Sequence, residues 1–227
     1  MQFLSGLAAA AAILGAASPQ TPPIFQPGAP GQPGRTVSAA ESVGMSHTGF
    51  TTDDVRFMQH MLVHHAQAVE MVELLHQHGT HATVKRLGER IALSQAAEMD
   101  LMREWLTSRG QPETAPDLHA GHMGHGEHAG HAAPSDVPLM PGMLSPAQMQ
   151  ALAAARGPAF DRLFLEGMIQ HHRGALDMVD QLMGAPNAGE EPMLSDLLSS
   201  IVADQSAEIL RMQNLLSDLN PTAEDRP

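Results

Sequence analysis

The chain has 227 residues and a formal net charge of −13, because 25 acidic side chains outnumber 12 Lys and Arg; this charge repels a phosphate backbone and excludes nucleic acid as a partner. With no cysteine, the chain cannot form disulfides, iron–sulfur clusters or cysteine-based zinc sites, so any metal must be held by His, Met, Asp or Glu. Only 3% of the residues are aromatic, whereas the 14 histidines and 16 methionines are clustered along the sequence.

The N-terminal residues 1–18 are predicted to be a signal peptide. The apolar stretch Met1–Leu14 is uncharged and too short to span a membrane, and small residues follow at 16–18. We therefore expect a periplasmic or secreted protein with no transmembrane segment in the mature chain. The basic residue that usually precedes such a stretch is missing, which leaves a misassigned start codon as the alternative. Residues 19–50, rich in Pro and Gly, predict a disordered tether.

A helical hairpin is predicted over residues 51–110. Its first helix is capped at Thr51 or Thr52 and stops at Gly79, with apolar residues at spacings of three and four. Its second helix runs over about 82–108. The chain has no strand pattern.

Residues 146–220 are predicted to form a short helix followed by a second hairpin. The short helix opens with a capping box between Ser145 and Gln148 and has Pro146 at its first position. The first long helix of the second hairpin ends near Met183, and its second begins at Pro192. Two such hairpins predict an all-α fold, an up-down four-helix bundle formed as one domain.

The two hairpins are internal duplicates of each other. A shift of 107 residues aligns their first helices and a shift of 110 aligns their second helices, as His64 to His171 and Glu98 to Glu208 illustrate. The aligned pairs include Phe57/Phe164, Met61/Met168, His64/His171, His65/His172, Gln95/Gln205, Glu98/Glu208 and Met102/Met212.

Polar residues occupy the middle of each long helix, where a plain bundle would have leucine. Antiparallel pairing places His64 at nearly the height of Glu98, and His171 at nearly the height of Glu208. One interpretation is a buried hydrogen-bond network in which each Glu accepts from an imidazole on the neighbouring helix. The other is a metal site, for which bundles use inward-facing His and carboxylate. Which histidine of each His-His pair faces the centre stays open.

The connection between the hairpins, residues 111–145, is predicted to be a flexible His/Met-rich loop. Five histidines recur at every third position, separated mainly by Gly and Ala. Such a composition contributes no core but offers many ligands, which favours a metal scavenger. A low-complexity linker produced by repeat slippage is the alternative. The candidate ligands are His119, His122, Met123, His125, His128 and His131.

These motifs resemble the family known as domain of unknown function 305. The resemblance rests on an aromatic residue and Met before a His-His pair, then Gln-x-x-Glu and Met on the next helix, in both halves. It implies a ferritin-like four-helix fold and export. Some members are periplasmic proteins that hold Cu(I) or Ag(I) with Met and His. The second half has Leu215 where the first has Trp105, which indicates that one of the two sites is altered or kept only for packing.

The leading hypothesis is an exported protein that sequesters Cu(I) for copper homeostasis or resistance, without turnover. Thioether and imidazole ligands favour soft Cu(I), with silver or zinc as alternative ions. A ferritin-like di-metal oxidoreductase is the second hypothesis, although the Glu-x-x-His motif of such bundles is missing from the seam. The third is a metal-free helical interaction module. The predicted ligands in the helices are Met61, His64, His65, Glu98, Met102, Met168, His171, His172, Glu208 and Met212.

Overall fold

The computed structural model describes residues 24–27, 33–38, 49–116 and 136–219. Within these ranges it contains five α-helices and one two-stranded sheet. The predicted signal peptide and all six candidate ligands of the His-rich loop lie outside the described residues. The chain divides into two units, residues 1–47 and 48–227, and each is described by itself.

The first unit contains a short antiparallel hairpin. Strands β1 (Ile24–Gln26) and β2 (Arg35–Val37) pair with Ile24 opposite Val37. The Arg35 guanidinium Nε donates to Gln26 Oε1 at 2.9 Å. The prediction that this region forms no strand was therefore wrong at these six residues. Ile, Phe, Thr and Val, which make up four of these six residues, have high β-propensity.

The second unit is helical, and its helices begin and end close to the predicted residues. Helices α1 (Thr52–His78) and α2 (Ala82–Ser108) form the first hairpin. The short α3 (Pro146–Ala154) precedes α4 (Gly157–Met183) and α5 (Pro192–Leu219). The prediction of a mainly helical chain is confirmed.

Local capping chemistry fixes two of the helix starts. Thr51 accepts from the Asp54 amide at 3.1 Å while the Asp54 carboxylate accepts from the Thr51 amide at 2.7 Å. Ser145 and Gln148 make the same reciprocal pair at 3.3 and 2.8 Å. Both are capping boxes, in which two otherwise unpaired amides are satisfied together.

The long helices pack as two hairpins joined through their first helices. Helix α1 packs along α2, α4 packs along α5, and α1 also packs against α4. Helices α2 and α5 meet over a smaller area, and α3 contacts both α1 and α4.

Two buried carboxylates at equivalent positions of the duplication attach each hairpin to the turn of the other. Asp161 accepts from the amides of Thr80 and His81 at 3.1 and 2.9 Å, at the α1–α2 turn. Asp54 accepts from the Gly189 amide at 2.7 Å, at the α4–α5 turn. The shift of 107 residues relates Asp54 to Asp161, so each half of the duplication contributes one such contact.

The apolar core consists of two clusters, and polar residues separate them on all four long helices. The first apolar cluster takes residues from 57–62, 99–106, 175–182 and 194–201. The second apolar cluster takes residues from 68–75, 84–91, 160–169 and 209–212. We call the residues between them the polar layer: His64, His65, Gln95, Glu98, His171, His172, Gln205 and Glu208.

Candidate metal centre

The four histidines of the polar layer form a buried row across α1 and α4. All four side chains are 0% exposed, so neither member of either His-His pair points to solvent. His64 and His171 are adjacent at the centre, with ring centroids 3.9 Å apart. His65 lies 6.4 Å from His64, and His172 lies 6.2 Å from His171. The duplicated sequence therefore produces a nearly symmetric row of imidazoles.

The outer histidines bind the two carboxylates. His65 Nε2 lies 2.7 Å from Glu98 Oε2, and His172 Nε2 lies 2.7 Å from Glu208 Oε2. The sequence left open which histidine of each pair meets a carboxylate; it is the second one, and the heights along the helices agree. Successive helical residues are rotated by about 100°, so the second His of each pair faces the hairpin partner while the first faces the other hairpin.

The inner histidines bind backbone carbonyls instead. His64 Nε2 donates to the Pro141 carbonyl at 3.0 Å, and His171 Nε2 donates to the His64 carbonyl at 2.8 Å. A carbonyl oxygen can only accept, so both rings carry their proton on Nε2 and have a lone pair on Nδ1.

Both inner imidazoles are neutral at neutral pH. Burial, followed by the charge of His65, lowers the pKa of His64 to about 3. Burial, followed by the repulsion that a protonated His64 would exert, holds the pKa of His171 well below its ordinary value. A neutral imidazole is the form that binds a metal ion.

Hydrogen bonding within the described residues leaves part of the polar layer unsatisfied. The Nδ1 atoms of all four histidines have no partner there, and neither do the amide nitrogens and oxygens of Gln95 and Gln205. An unmet buried donor or acceptor costs about 1–3 kcal/mol. Metal-bound histidines commonly donate their other ring N–H to a carboxylate or backbone carbonyl. Each of the four rings has its Nε2 placed in this way and its Nδ1 available.

Methionine side chains lie on both sides of the polar layer. Met61 and Met102 are fully buried in the first apolar cluster, and Met168 and Met212 are fully buried in the second. In the described ranges, no group of three or more His, Asp or Glu side chains is arranged to hold a metal ion. A metal in this layer would therefore need sulfur ligands beside imidazole, a donor set that suits Cu(I) better than Mg²⁺ or Ca²⁺.

A family model covers the helices that carry the polar layer. The family model described as a domain of unknown function, DUF305, matches residues 54–216, more than two thirds of the chain. The chain belongs to the DUF305 family. The resemblance deduced from the two His-His pairs is thereby confirmed. No curated protein matches this DUF305 chain.

Solved structures of DUF305 proteins resemble the helical unit. A DUF305 fragment from Deinococcus radiodurans is 32% identical, with a TM-score of 0.59, over 74% of this chain and 98% of that one. A DUF305 protein from Streptomyces coelicolor, inferred to be secreted, is 30% identical with a TM-score of 0.59, over 74% and 96%. CopM in its Cu(I)-bound form is 27% identical with a TM-score of 0.54, over 76% and 99%.

A segment that precedes α3 closes the polar layer, and the sequence pattern did not reveal it. We call residues 140–144 the strap. The Gln67 side chain makes two hydrogen bonds to the backbone of Leu144. Its Oε1 accepts from the Leu144 amide at 2.7 Å, and its Nε2 donates to the Leu144 carbonyl at 3.0 Å. Gln170 donates to the Gly142 carbonyl at 3.3 Å. The strap thereby places the Pro141 carbonyl against His64.

Two glycines allow the strap to approach α4 this closely. A Cβ on Gly174 would lie 2.0 Å from the Pro141 carbonyl oxygen and 2.4 Å from the Gly142 Cα. Gly142 itself adopts a φ of +72°, which favours glycine. Position 174 is the duplicate of Gln67, so the loss of a side chain there is the sequence signal that could have revealed the strap.

Trp105, the residue that distinguishes the two halves, lies outside the polar layer. It is fully buried in the first apolar cluster, and its indole Nε1 donates to Glu191 Oε2 at 2.8 Å. Burial raises the pKa of Glu191, but hydrogen bonds from Trp105 and the Leu194 amide, with the charge of Arg109, outweigh burial and lower it. The change to Leu215 thus affects a contact between helix ends.

Across the described parts of the chain, no helix is both long enough and apolar enough to cross a membrane.

Proposed function

We propose that this DUF305 protein is an exported copper-binding protein that sequesters Cu(I), and Ag(I) where it is present, for copper homeostasis or resistance. The observation that carries the proposal is the state of the four buried imidazoles. Each has its Nε2 bonded to a carbonyl or a carboxylate and its Nδ1 without a partner among the described residues.

The inner histidines are the proposed primary ligands. His64 and His171 are adjacent and neutral, and they come from different hairpins. Met61, Met102, Met168 and Met212 are the proposed thioether ligands from the flanking clusters. When bound, Cu(I) would take two or more soft donors from this set without any reaction.

Glu98 and Glu208 have a different proposed role from the one expected from sequence. Each carboxylate accepts from an outer histidine at 2.7 Å, and it thereby orients that ring. We therefore assign them to the outer shell, where a carboxylate increases the basicity of the imidazole that it holds. His65 and His172 are then secondary ligands through Nδ1.

Copper binding by a structural relative supports the choice of metal. CopM has been solved with Cu(I) and also with Cu(II), the latter at 28% identity, a TM-score of 0.53, and 73% and 96% coverage of the two chains. The donor set supports Cu(I) as the sequestered state here, because thioethers prefer the softer ion.

The proposed architecture is a ferritin-like, up-down four-helix bundle made of residues 51–110 and 146–220. The packing of α1 with α2, α4 with α5, and α1 with α4 supports it. Residues 1–18 would direct export and residues 19–50 would tether the domain. The five histidines between 119 and 131 would capture additional metal ions.

A structural network alone accounts for only part of the polar layer. It explains the bonds of His65 to Glu98 and of His172 to Glu208. It does not explain why four imidazole nitrogens and two amide groups are buried without partners in the described residues. A di-metal oxidoreductase needs carboxylates that bridge its metals, whereas Glu98 and Glu208 each bond to a different imidazole.

Metal-dependent thermal stability tests the proposal. Residues 119–131 are deleted so that they do not compete for the metal, and Cu(I) is added under anaerobic conditions. A ligand at 100 times its Kd stabilises a protein by about 2.7 kcal/mol, so the melting temperature should rise. The double variant His64→Leu/His171→Leu should lose this rise, and the exposed control His76→Leu should keep it. A full rise in the double variant would refute the buried site.

A further inference from the structure

A surface cavity lies on the outer side of the strap. Its volume is about 240 Å³, and α1, α4 and the strap line it. The lining includes one imidazole and two thioethers, from His60, Met140 and Met178. These are the donor types proposed for the buried metal site, repeated at a second place.

Three of the side chains that line the cavity carry nitrogen or sulfur donors. Met140 and Met178 are each 7% exposed, pack in the first apolar cluster and line the cavity. His60 is half-buried on α1, one helical turn before His64. Asp53 adds a carboxylate to the rim, where it pairs with Arg56 at 3.5 Å.

The cavity and the buried imidazoles share a wall. Pro141 lines the cavity, and its carbonyl accepts from His64 Nε2 at 3.0 Å on the other side. One strap residue thus separates the two places. The net charge of −13 also raises the local concentration of cations around the molecule.

We propose that this cavity is an outer binding site for a soft monovalent cation, Cu(I) or Ag(I), with His60, Met140 and Met178 as its ligands. The assignment rests on the proposed function, since it places a second site for the same ions beside the strap that covers the buried one. Two thioethers and one imidazole would supply three uncharged donors, two of them soft, which favours these ions over Zn²⁺ or Mg²⁺.

Methyl NMR of the full-length protein tests the site. Methionine is labelled with ¹³C at its methyl group, and Ag(I) is the probe because it does not change oxidation state. Met140→Leu and Met178→Leu assign the two resonances. Both should shift on addition of Ag(I), because sulfur ligation changes the electronic environment of the attached methyl group.

Substitution of His60 tests whether the two thioethers bind the same ion. In His60→Ala both methyl groups should respond with affinity weakened by about tenfold or more, as expected for loss of one ligand. The control His76→Ala removes an exposed imidazole from the same helix and should leave both responses unchanged. His60→Gln, which keeps a polar side chain of similar reach, gives the same comparison if the alanine variant does not fold.

The outcomes distinguish this site from the buried one, since the Nδ1 resonances of His64 and His171 are followed in the same samples. No shift of the two methyl groups at saturating Ag(I), or equal affinity in His60→Ala, would overturn the outer site. If the methyl groups respond and the imidazoles do not, the outer site stands and the buried site fails. If only the imidazoles respond, the outer site fails and the proposed function stands.

Discussion

The two halves of the polar layer share their side-chain pairs but differ in their bonds to the backbone. His65 with Glu98 and His172 with Glu208 have the same atoms at the same distance of 2.7 Å. His64, by contrast, donates to Pro141 in the strap, whereas His171 donates to the carbonyl of His64. Duplication therefore reproduces contacts inside a hairpin, and the connecting segment makes the halves unequal.

This inequality has a functional consequence. The strap lies over one inner histidine and is held by Gln67, which has no counterpart side chain at Gly174. The row of imidazoles is thereby closed on the His64 side by a segment of the same connection, C-terminal to its five histidines. The two outer pairs should behave alike in experiments, and the two inner histidines should not.

The largest effect should come from breaking the outer pairs. His65→Leu and His172→Leu each leave a nearly buried carboxylate without its imidazole, which should lower the free energy of unfolding by about 3 kcal/mol or more. The two losses should agree within about 1 kcal/mol, because the pairs are equivalent. Urea unfolding of the metal-free protein, followed by circular dichroism, measures both.

A conservative substitution controls for packing at the same positions. His65→Gln and His172→Gln retain a donor that can reach the carboxylate, so they should lose less stability than the leucine variants. Leucine variants as stable as wild type would mean that Glu98 and Glu208 do not depend on these histidines.

A smaller effect should come from displacing the strap. Gly174→Ala places a methyl group against backbone atoms of Pro141 and Gly142, at 2.0 and 2.4 Å, and should cost about 1–3 kcal/mol. Gly167→Ala on the same helix meets only flexible side-chain ends, at 3.1 Å from Leu144 and 3.2 Å from Met71, and should be far milder. Thermal unfolding compares the two variants, and equal losses would contradict the tight fit of the strap.

The inner histidines should also make stability depend on pH. Their pKa values in the folded protein are depressed, to about 3 for His64, while the unfolded chain titrates near 6.5. Their contribution is therefore present above pH 6.5 and is lost progressively as pH falls below that value, at on the order of 1 kcal/mol per pH unit for each ring. The titratable groups around these rings are His65, His172, Glu98 and Glu208. They are present in wild type and in the double variant with which it is compared below.

Metal-free wild type and His64→Leu/His171→Leu isolate this term. The difference in unfolding free energy between them should change with pH between 6.5 and 5, with wild type losing more stability. Parallel pH profiles would mean that the two rings are protonated in the fold as readily as in the unfolded chain.

The smallest effect on stability is expected from deleting residues 119–131. Their Gly, Ala and His composition contributes no apolar core, so helicity and melting temperature should stay nearly constant while metal capacity falls. Circular dichroism and metal analysis of the same samples measure both quantities. A large loss of helical signal would show that these residues stabilise the helical unit.

The helices and the position of the polar layer could be predicted because their signals are local. Spacing of apolar residues, capping boxes at Thr51 and Ser145, and the Pro at 192 set the helix bounds within the described chain. The duplication then aligned the two His-His pairs. Burial of the layer between two apolar clusters followed from the placement of these residues in mid-helix.

The pairing of individual atoms could not be predicted. Height along a helix is set by counting residues, but the choice between His64 and His65 depends on helix rotation, which differs by about 100° per residue. The contact of Pro141 with His64 spans 77 positions and has no periodic signal. Asp54 and Asp161 repeat with the duplication, yet polar residues near helix starts are too common to indicate long-range contacts.

The most direct test of the account is the behaviour of the imidazole nitrogens in the full-length protein. Long-range ¹H–¹⁵N NMR of ¹⁵N-histidine protein, assigned with His64→Leu and His171→Leu, reports which nitrogen carries the proton. Without metal, both inner rings should be Nε2–H tautomers, and saturating Ag(I) should shift their Nδ1 resonances. Nδ1 resonances of His64 and His171 that stay unchanged at saturation would contradict the buried metal centre.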